Sequence, residues 1–188
     1  MTRPKNNELR IIGGQWRSRK LGFIPAQGLR PTPDRVRETL FNWLSPVIGG
    51  AKCADLFAGS GALGLEALSR GAQHCDFVDT SGTALAQISQ HLNTLNAGAM
   101  GTCHPGSAQQ YLEALTKPLD IVFIDPPFGG GLVEEVCQML SNSALLATGA
   151  WVYIETAKVE ALPPLPPGWR LHRDKTAGDV AYRLYKVN

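Results

Sequence analysis

This 188-residue sequence predicts an α/β protein with a doubly wound, seven-stranded, mostly parallel sheet of Rossmann-like form, preceded by a small basic extension. Three observations carry that expectation. Short apolar segments alternate with helix-like ones from residue 52 to residue 155, the order of a parallel sheet covered on both faces. A glycine-rich loop, Gly59-Ser-Gly61-Ala-Leu-Gly64, joins the first strand of that alternation to its helix. Two final strand-like segments flank Thr176-Ala-Gly-Asp179, a hairpin signal that closes the sheet with antiparallel strands.

The elements follow in order. In residues 1–30, Ile11, Ile12, Trp16, Leu21, Phe23 and Ile24 interleave with charges, which predicts a β-hairpin or small extension ahead of a main domain over 31–188. Thr32-Pro-Asp before RVRETLFNWL reads as a helix start. Thr32 is the expected N-cap, Pro33 the first helical residue, and Asp34 complements the dipole. Val36, Leu40, Trp43 and Leu44 are its apolar stripe. The alternation then runs as strand 52–57, helix 62–69, strand 74–79, helix 83–95, strand 101–104, helix 108–115, strand 120–124, helix 132–140 and strand 150–155. Leu162-Pro-Pro-Leu-Pro-Pro-Gly168 is a stiff connector to strands 169–175 and 181–187.

Composition narrows the class. The chain is 44% hydrophobic and 18% charged, enough for one sizeable core. No apolar run approaches the roughly 20 residues of a membrane helix, and no apolar signal segment follows the polar MTRPKNNELR, so a cytoplasmic protein is expected. Cys53, Cys75, Cys103 and Cys137 are scattered through apolar stretches and read as buried reduced thiols, without metal spacing. His74, His91, His104 and His172 lie apart, with no nucleophilic triad among them. Net charge is +2, unevenly spread: residues 1–37 hold nine Lys/Arg against two acids, and residues 38–188 hold nine against fourteen. A basic segment on an acidic body is the footprint of a polyanion binder; a solvated tail is the bland alternative. Arg3, Arg10, Arg17, Arg19, Lys20, Arg30, Arg35 and Arg37 are the candidate RNA contacts.

Two loops carry chemistry. Asp55-Leu-Phe57-Ala-Gly59-Ser-Gly61-Ala-Leu-Gly64 matches G-x-G-x-x-G between strand and helix, and Asp79 ends the next strand, 20 residues past Gly59. That context predicts a nucleoside-containing ligand, its ribose held by Asp79 with Thr80 beside it. An acid at Asp55 disfavours a pyrophosphate and suits a cationic ligand, which points to S-adenosylmethionine rather than NAD. The second loop, Asp125-Pro126-Pro127-Phe128-Gly-Gly-Gly131, stiffens an acid at a strand end, because each proline fixes φ and extends the residue before it.

Asp125-Pro-Pro-Phe after one strand and Phe57-x-Gly-x-Gly after another resemble the class I methyltransferases of exocyclic base amines. With the block Arg30-Pro-Thr-Pro-Asp-Arg-Val-Arg-Glu-Thr-Leu-Phe41 and the stretch Asp55–Gly71, nearly the whole chain resembles the RsmD family, the bacterial 16S ribosomal RNA methyltransferases that modify guanine 966 at N2. The resemblance implies S-adenosylmethionine as methyl donor, S-adenosylhomocysteine as product, no metal, no membrane, and 16S rRNA, in an assembling or assembled small subunit, as partner of a monomeric enzyme. It implies that Asp125, Pro126 and Phe128 carry the chemistry. Asp125 and the Pro126 carbonyl would accept the two amine hydrogens while Phe128 stacks on the base. Asp125 capping the next helix and Phe128 lying in the core are the structural alternatives. Relatives carry an acid for the adenine amino group where this chain has Gly106-Ser107-Ala108, so Ser107 and Ala108 are expected to substitute. Arg35 and Arg37 are expected to face phosphates and Thr32, Glu38 and Thr39 to border the donor pocket, unless the block is only a capped surface helix. Glu155 falls near the cleft by topology without an assigned role.

Rival readings remain. An adenine-N6 methyltransferase of DNA or RNA shares the Asp-Pro-Pro-Phe loop, but only about 50 residues precede the α/β core to recognise a DNA site. A NAD-dependent oxidoreductase is suggested by Tyr182 and Lys186, four apart in an expected strand. A non-catalytic RNA-binding assembly factor leaves both intact loops unexplained.

Overall fold

A computed structural model of the chain describes residues 7–24, 32–142 and 144–188. The apolar alternation becomes one sheet of seven strands: β3 (Lys52–Asp55), β4 (His74–Asp79), β5 (Gly101–Pro105), β6 (Leu119–Ile124), β7 (Leu146–Ala157), β8 (Trp169–Ala177) and β9 (Val180–Val187). Their order is β5-β4-β3-β6-β7-β9-β8, with β3 to β7 parallel and β9 antiparallel to both its neighbours. The expected doubly wound sheet is present, and its helices divide between two faces. α2 (Ala62–Ser69) and α3 (Gly82–Thr94) join α1 (Asp34–Leu44) around one apolar cluster containing Phe41, Phe77, Phe123 and Tyr153. α4 (Ala108–Ala114) and α5 (Leu132–Leu140) cover the other, with Val122, Ile124, Val152 and Ile154 beneath them. The inner strands β3 and β6 are buried on both faces, which is why their sequences read as continuous apolar runs.

Residues 7–23 pack onto the first of these clusters. β1 (Asn7–Arg10) and β2 (Lys20–Phe23) pair antiparallel, from Asn7 opposite Phe23 to Arg10 opposite Lys20. Leu9, Ile11, Leu21 and Phe23 are buried in the same cluster as Val36, Leu40 and Leu44 of α1. The pair is thus welded to the body by burial, at roughly 25 cal/mol per Å² of apolar surface removed from water. The proposed boundary at residue 30 lies outside the described residues.

Two local expectations change, and one strand carries an irregularity. Thr32 is not the cap of α1: Pro33 occupies the N-cap position, no side chain caps there, and the Thr32 hydroxyl points elsewhere. β7 begins at Leu146 rather than 150, since Leu146 pairs with Leu119 across an irregularity. Gly149, with φ +75°, lies between the paired residues Leu146 and Trp151. Leu171 pairs with Tyr185 and Arg173 with Leu184, so β8 carries a register shift along the sheet edge. Among the described residues, no helix is long and apolar enough to cross a membrane.

Candidate active site

In an open α/β sheet, ligands bind outside the carboxyl ends of the strands where the strand order reverses. Here β3 connects outward to β4, while the chain returns from β5 to β6 on the other side of β3. The switch point therefore lies between Asp55, at the end of β3, and Asp125, just past β6. Both chemistry-bearing loops meet there.

The glycine loop is built from backbone geometry. Gly59 and Gly61 hold φ of +52° and +78°, which side chains rarely adopt. Gly64 serves close packing instead. A Cβ there would sit 2.3 Å from the Phe77 ring, so only glycine lets α2 lie this close to β4. Gly64 is thus a packing residue, correcting its assignment as a ligand contact. Asp55 is corrected likewise. It is 1% exposed and accepts the Gly64 N–H at 3.1 Å, so it fixes the loop from beneath and offers no open surface to a ligand. Burial, opposed by that N–H and reinforced by the charges of Asp125 and Asp79, pushes its carboxyl up to about 7.

Asp79 ties the two loops together. One oxygen accepts the Gly59 N–H at 2.8 Å and the other accepts the Ser81 N–H at 2.8 Å. Each carboxylate oxygen keeps acceptor capacity for a hydroxyl. Thr80 beside it is exposed and Phe57 half-buried. Ser107 forms a capping box with Gln110, accepting its N–H at 3.1 Å and donating its own to the amide at 3.0 Å. Its hydroxyl caps α4, and Ala108 is buried in the core cluster behind it.

Asp125 is half-buried, and Thr32 donates its hydroxyl to one carboxylate oxygen at 3.2 Å. It does not cap the next helix: Gly131 holds the N-cap position of α5. Pro126 is buried and Pro127 exposed, so the dipeptide anchors one side of the loop and leaves the other open. Phe128 is 54% exposed, outside the core and free to meet a planar ligand. Burial lifts the Asp125 carboxyl to about 6, against the lowering effect of Thr32. Glu155 follows the register pair Ile124–Ile154, so its backbone neighbours that of Asp125 across the sheet. It is 4% exposed and accepts the Tyr153 hydroxyl at 2.8 Å. Burial and the Asp125 charge push it up to about 8. Three acids thus converge at the strand ends, and the Asp125 charge raises both Asp55 and Glu155.

The basic candidates divide. Arg17, Arg19 and Arg35 are exposed. Arg10 pairs with Asp34 at 3.3 Å and Lys20 with Glu8 at 3.1 Å, all about half exposed. Such surface pairs are worth about 0–1 kcal/mol and do not prevent contact with a phosphate. Arg37 cannot serve. It is 1% exposed and enclosed by Glu66, Asp34 and the Thr32 carbonyl. Both arginines are expected to face phosphates, but residues two positions apart on an α-helix point about 160° apart, and α1 turns only Arg35 to solvent. Arg3 and Arg30 lie outside the described residues. Glu38 is exposed and Thr39 half-buried. Tyr182 is buried against Trp43 in β9, its ring centroid 5.5 Å away, with no helical Lys partner.

Two features escaped the sequence. Thr32 meets Asp125 across 93 residues, a contact with no local signal. Asp76, on β4, gathers His74 at 3.2 Å, His104 at 2.9 Å and the Tyr111 hydroxyl at 2.6 Å beside a cavity of about 430 Å³. Parallel pairing of β4 with β5, which places Asp76 beside Thr102 and Val78 beside His104, brings those histidines together.

Comparison with known proteins adds a family. The model described as "Conserved hypothetical protein 95" matches residues 9–186. Ribosomal RNA small subunit methyltransferase D of Escherichia coli K12 is 49% identical over 99% of this chain and 95% of its own length. The Haemophilus influenzae protein of that name is 44% identical over 95% of this chain and 94% of its own length. A solved structure described as a putative methyltransferase of Escherichia coli superposes with TM-score 0.88 at 48% identity, covering 96% of this chain and 98% of that one.

Proposed function

Because the chain belongs to the Conserved hypothetical protein 95 family, the RsmD family of methyltransferases, we propose that it methylates the exocyclic N2 of guanine 966 in 16S ribosomal RNA. The donor is S-adenosylmethionine, the setting the assembling or assembled small subunit, and the enzyme a cytoplasmic monomer. The observation that carries this reading is the rigid Asp125-Pro-Pro-Phe128 loop at the switch point, opposite the glycine loop and Asp79.

The residues fit the donor. Burial first, and then the charges of Asp125 and Asp79, raise Asp55, so several carboxyl groups gather at the strand ends. That suits a sulfonium and ammonium better than a pyrophosphate. Asp79 and the Gly59–Gly61 backbone would hold the nucleoside, with Phe57 and Thr80 at its edges. When bound, the donor supplies an electrophilic methyl group.

The chain's own contribution is positioning. An aromatic amine is a poor nucleophile because its lone pair is delocalised into the ring. Two acceptors aimed at its hydrogens favour the pyramidal nitrogen that can attack. Asp125 supplies one, and the Pro126 carbonyl, on a backbone stiffened by two prolines, the other. Phe128 would stack on the splayed base. At neutral pH Asp125 is mostly ionised, so it accepts a hydrogen bond first and the amine proton afterwards. Arg10, Arg17, Arg19, Lys20 and Arg35 would approach phosphates.

Single-turnover transfer of labelled methyl to unmodified 16S RNA, as naked RNA and as subunits, tests the reading. Asp125→Ala should slow transfer about 100- to 1000-fold while folding and donor binding survive. Asp125→Asn should retain more activity, since an amide still accepts a hydrogen bond. A wild-type rate for Asp125→Ala, or methyl recovered on adenine N6, would sink it.

A further inference from the structure

One line of buried polar groups runs from the N-terminal strand pair to Asp125. Glu66, in α2, is 0% exposed. Its carboxylate accepts the backbone N–H groups of Ile12 and Gly13, each at 2.9 Å, just beyond β1. The same carboxylate accepts Arg70 at 2.8 Å and Arg37 at 3.4 Å. Arg37 donates through Nε to the Thr32 carbonyl at 3.2 Å, and the Thr32 hydroxyl donates to Asp125 at 3.2 Å. Thr32 itself is 5% exposed. Every step is a directed hydrogen bond between groups with little freedom to turn.

We propose that Thr32 is a positioning residue for Asp125, fixed by Arg37 and Glu66, so that the seat of the basic strand pair and the aim of the Asp125 carboxylate form one rigid unit. The proposal rests on Asp125 as acceptor of the target amine. Three physical points support it. The terminal torsion of an aspartate is broad and twofold, so the strand end alone does not fix which way its oxygens face. A donor on one oxygen chooses an orientation and leaves the other oxygen for the amine. Thr32 is β-branched and stiff at χ1, and its carbonyl, just ahead of α1, is tied down by Arg37. Finally, the groups facing Asp125 from neighbouring strands are Asp55 on β3 and Glu155 with Tyr153 on β7. Burial of the Asp125 carboxyl among these groups opposes its ionisation, and the Thr32 hydroxyl favours the ionised form against it. The arrangement also gives Thr32 and Arg37 of the Arg30–Phe41 block a shared role, although Arg37 has no route to RNA.

The test is single-turnover methyl transfer at saturating donor and 16S RNA, followed against pH. Thr32→Val keeps the shape and removes the donor. Its rate should fall about 10- to 100-fold, the scale of a misaimed group. Donor and RNA affinities should stay within about twofold, and the acid limb of the rate profile should move to higher pH. Thr32→Ser should restore most of the rate and the original limb. Should valine disturb packing in thermal melts, Thr32→Ala against Thr32→Ser gives the same contrast. Asp125→Ala runs in parallel. If it transfers methyl normally, the functional reading falls and this proposal with it. If it is impaired while the hydroxyl-free Thr32 variant matches wild type in rate and pH limb, only the positioning role is overturned. Equal losses for Ser and for the hydroxyl-free variant also overturn it.

Discussion

Replacing Arg37 by methionine separates an RNA contact from a structural ion. Methionine fills most of the arginine's length without charge or donors. In the folded chain it would abandon Glu66, which is 0% exposed, and the Thr32 carbonyl. Breaking a buried pair by removing one partner costs about 3–5 kcal/mol, because the remaining charge stays buried. Glu66 keeps two backbone N–H groups and Arg70, so the loss should sit at the low end, about 3 kcal/mol. For a chain of this size that is a fall in Tm of roughly 6–12 °C. Urea unfolding followed by circular dichroism measures it. The second readout is RNA binding against salt. A phosphate contact on a single strand adds about 0.7 to the slope of log K against log salt. Arg37 reaches no phosphate, so the slope of the methionine variant should equal that of wild type. A stability loss below about 1 kcal/mol, or a slope reduced by about 0.7, would show that the guanidinium is not the buried strut described here.

The exposed arginines should behave in the opposite way: Arg17→Ala with Arg19→Ala should flatten the salt slope by about 1.4 while changing Tm little, and an unchanged slope removes these residues from the RNA footprint. Glu155 should make stability depend on pH. Its folded carboxyl is raised from an ordinary value near 4.5 to about 8, so its favourable contribution is complete below the unfolded value and is lost as pH rises through about 8. Glu155→Gln keeps an acceptor for Tyr153 and should match wild type at pH 4 yet exceed it by on the order of 2 kcal/mol at pH 8.5. Equal stability at both pH values would mean that the acid is better solvated than its burial implies.

The sequence by itself determined the sheet, its order of elements and the two loops. These are local signals: strand-length apolar runs, glycines where positive φ is needed, two prolines after an acid. Asp79 was legible for the same reason, since 20 residues from Gly59 is the length of one β-α-β step. What required the tertiary structure was which polar side chains turn inward. Arg35 and Arg37 look alike in the sequence, yet one faces solvent and the other Glu66, 29 residues away. Thr32 looked like a helix cap because its neighbours spell one, but the carboxylate that claims its hydroxyl arrives from residue 125. Asp55 and Gly64 both fell in the expected ligand loop, and packing against β4 made them its supports. Hydrophobic periodicity says which face of an element is covered. It does not say which distant charge covers it, because a buried polar group is stable only with a partner that the fold, not the neighbouring sequence, delivers.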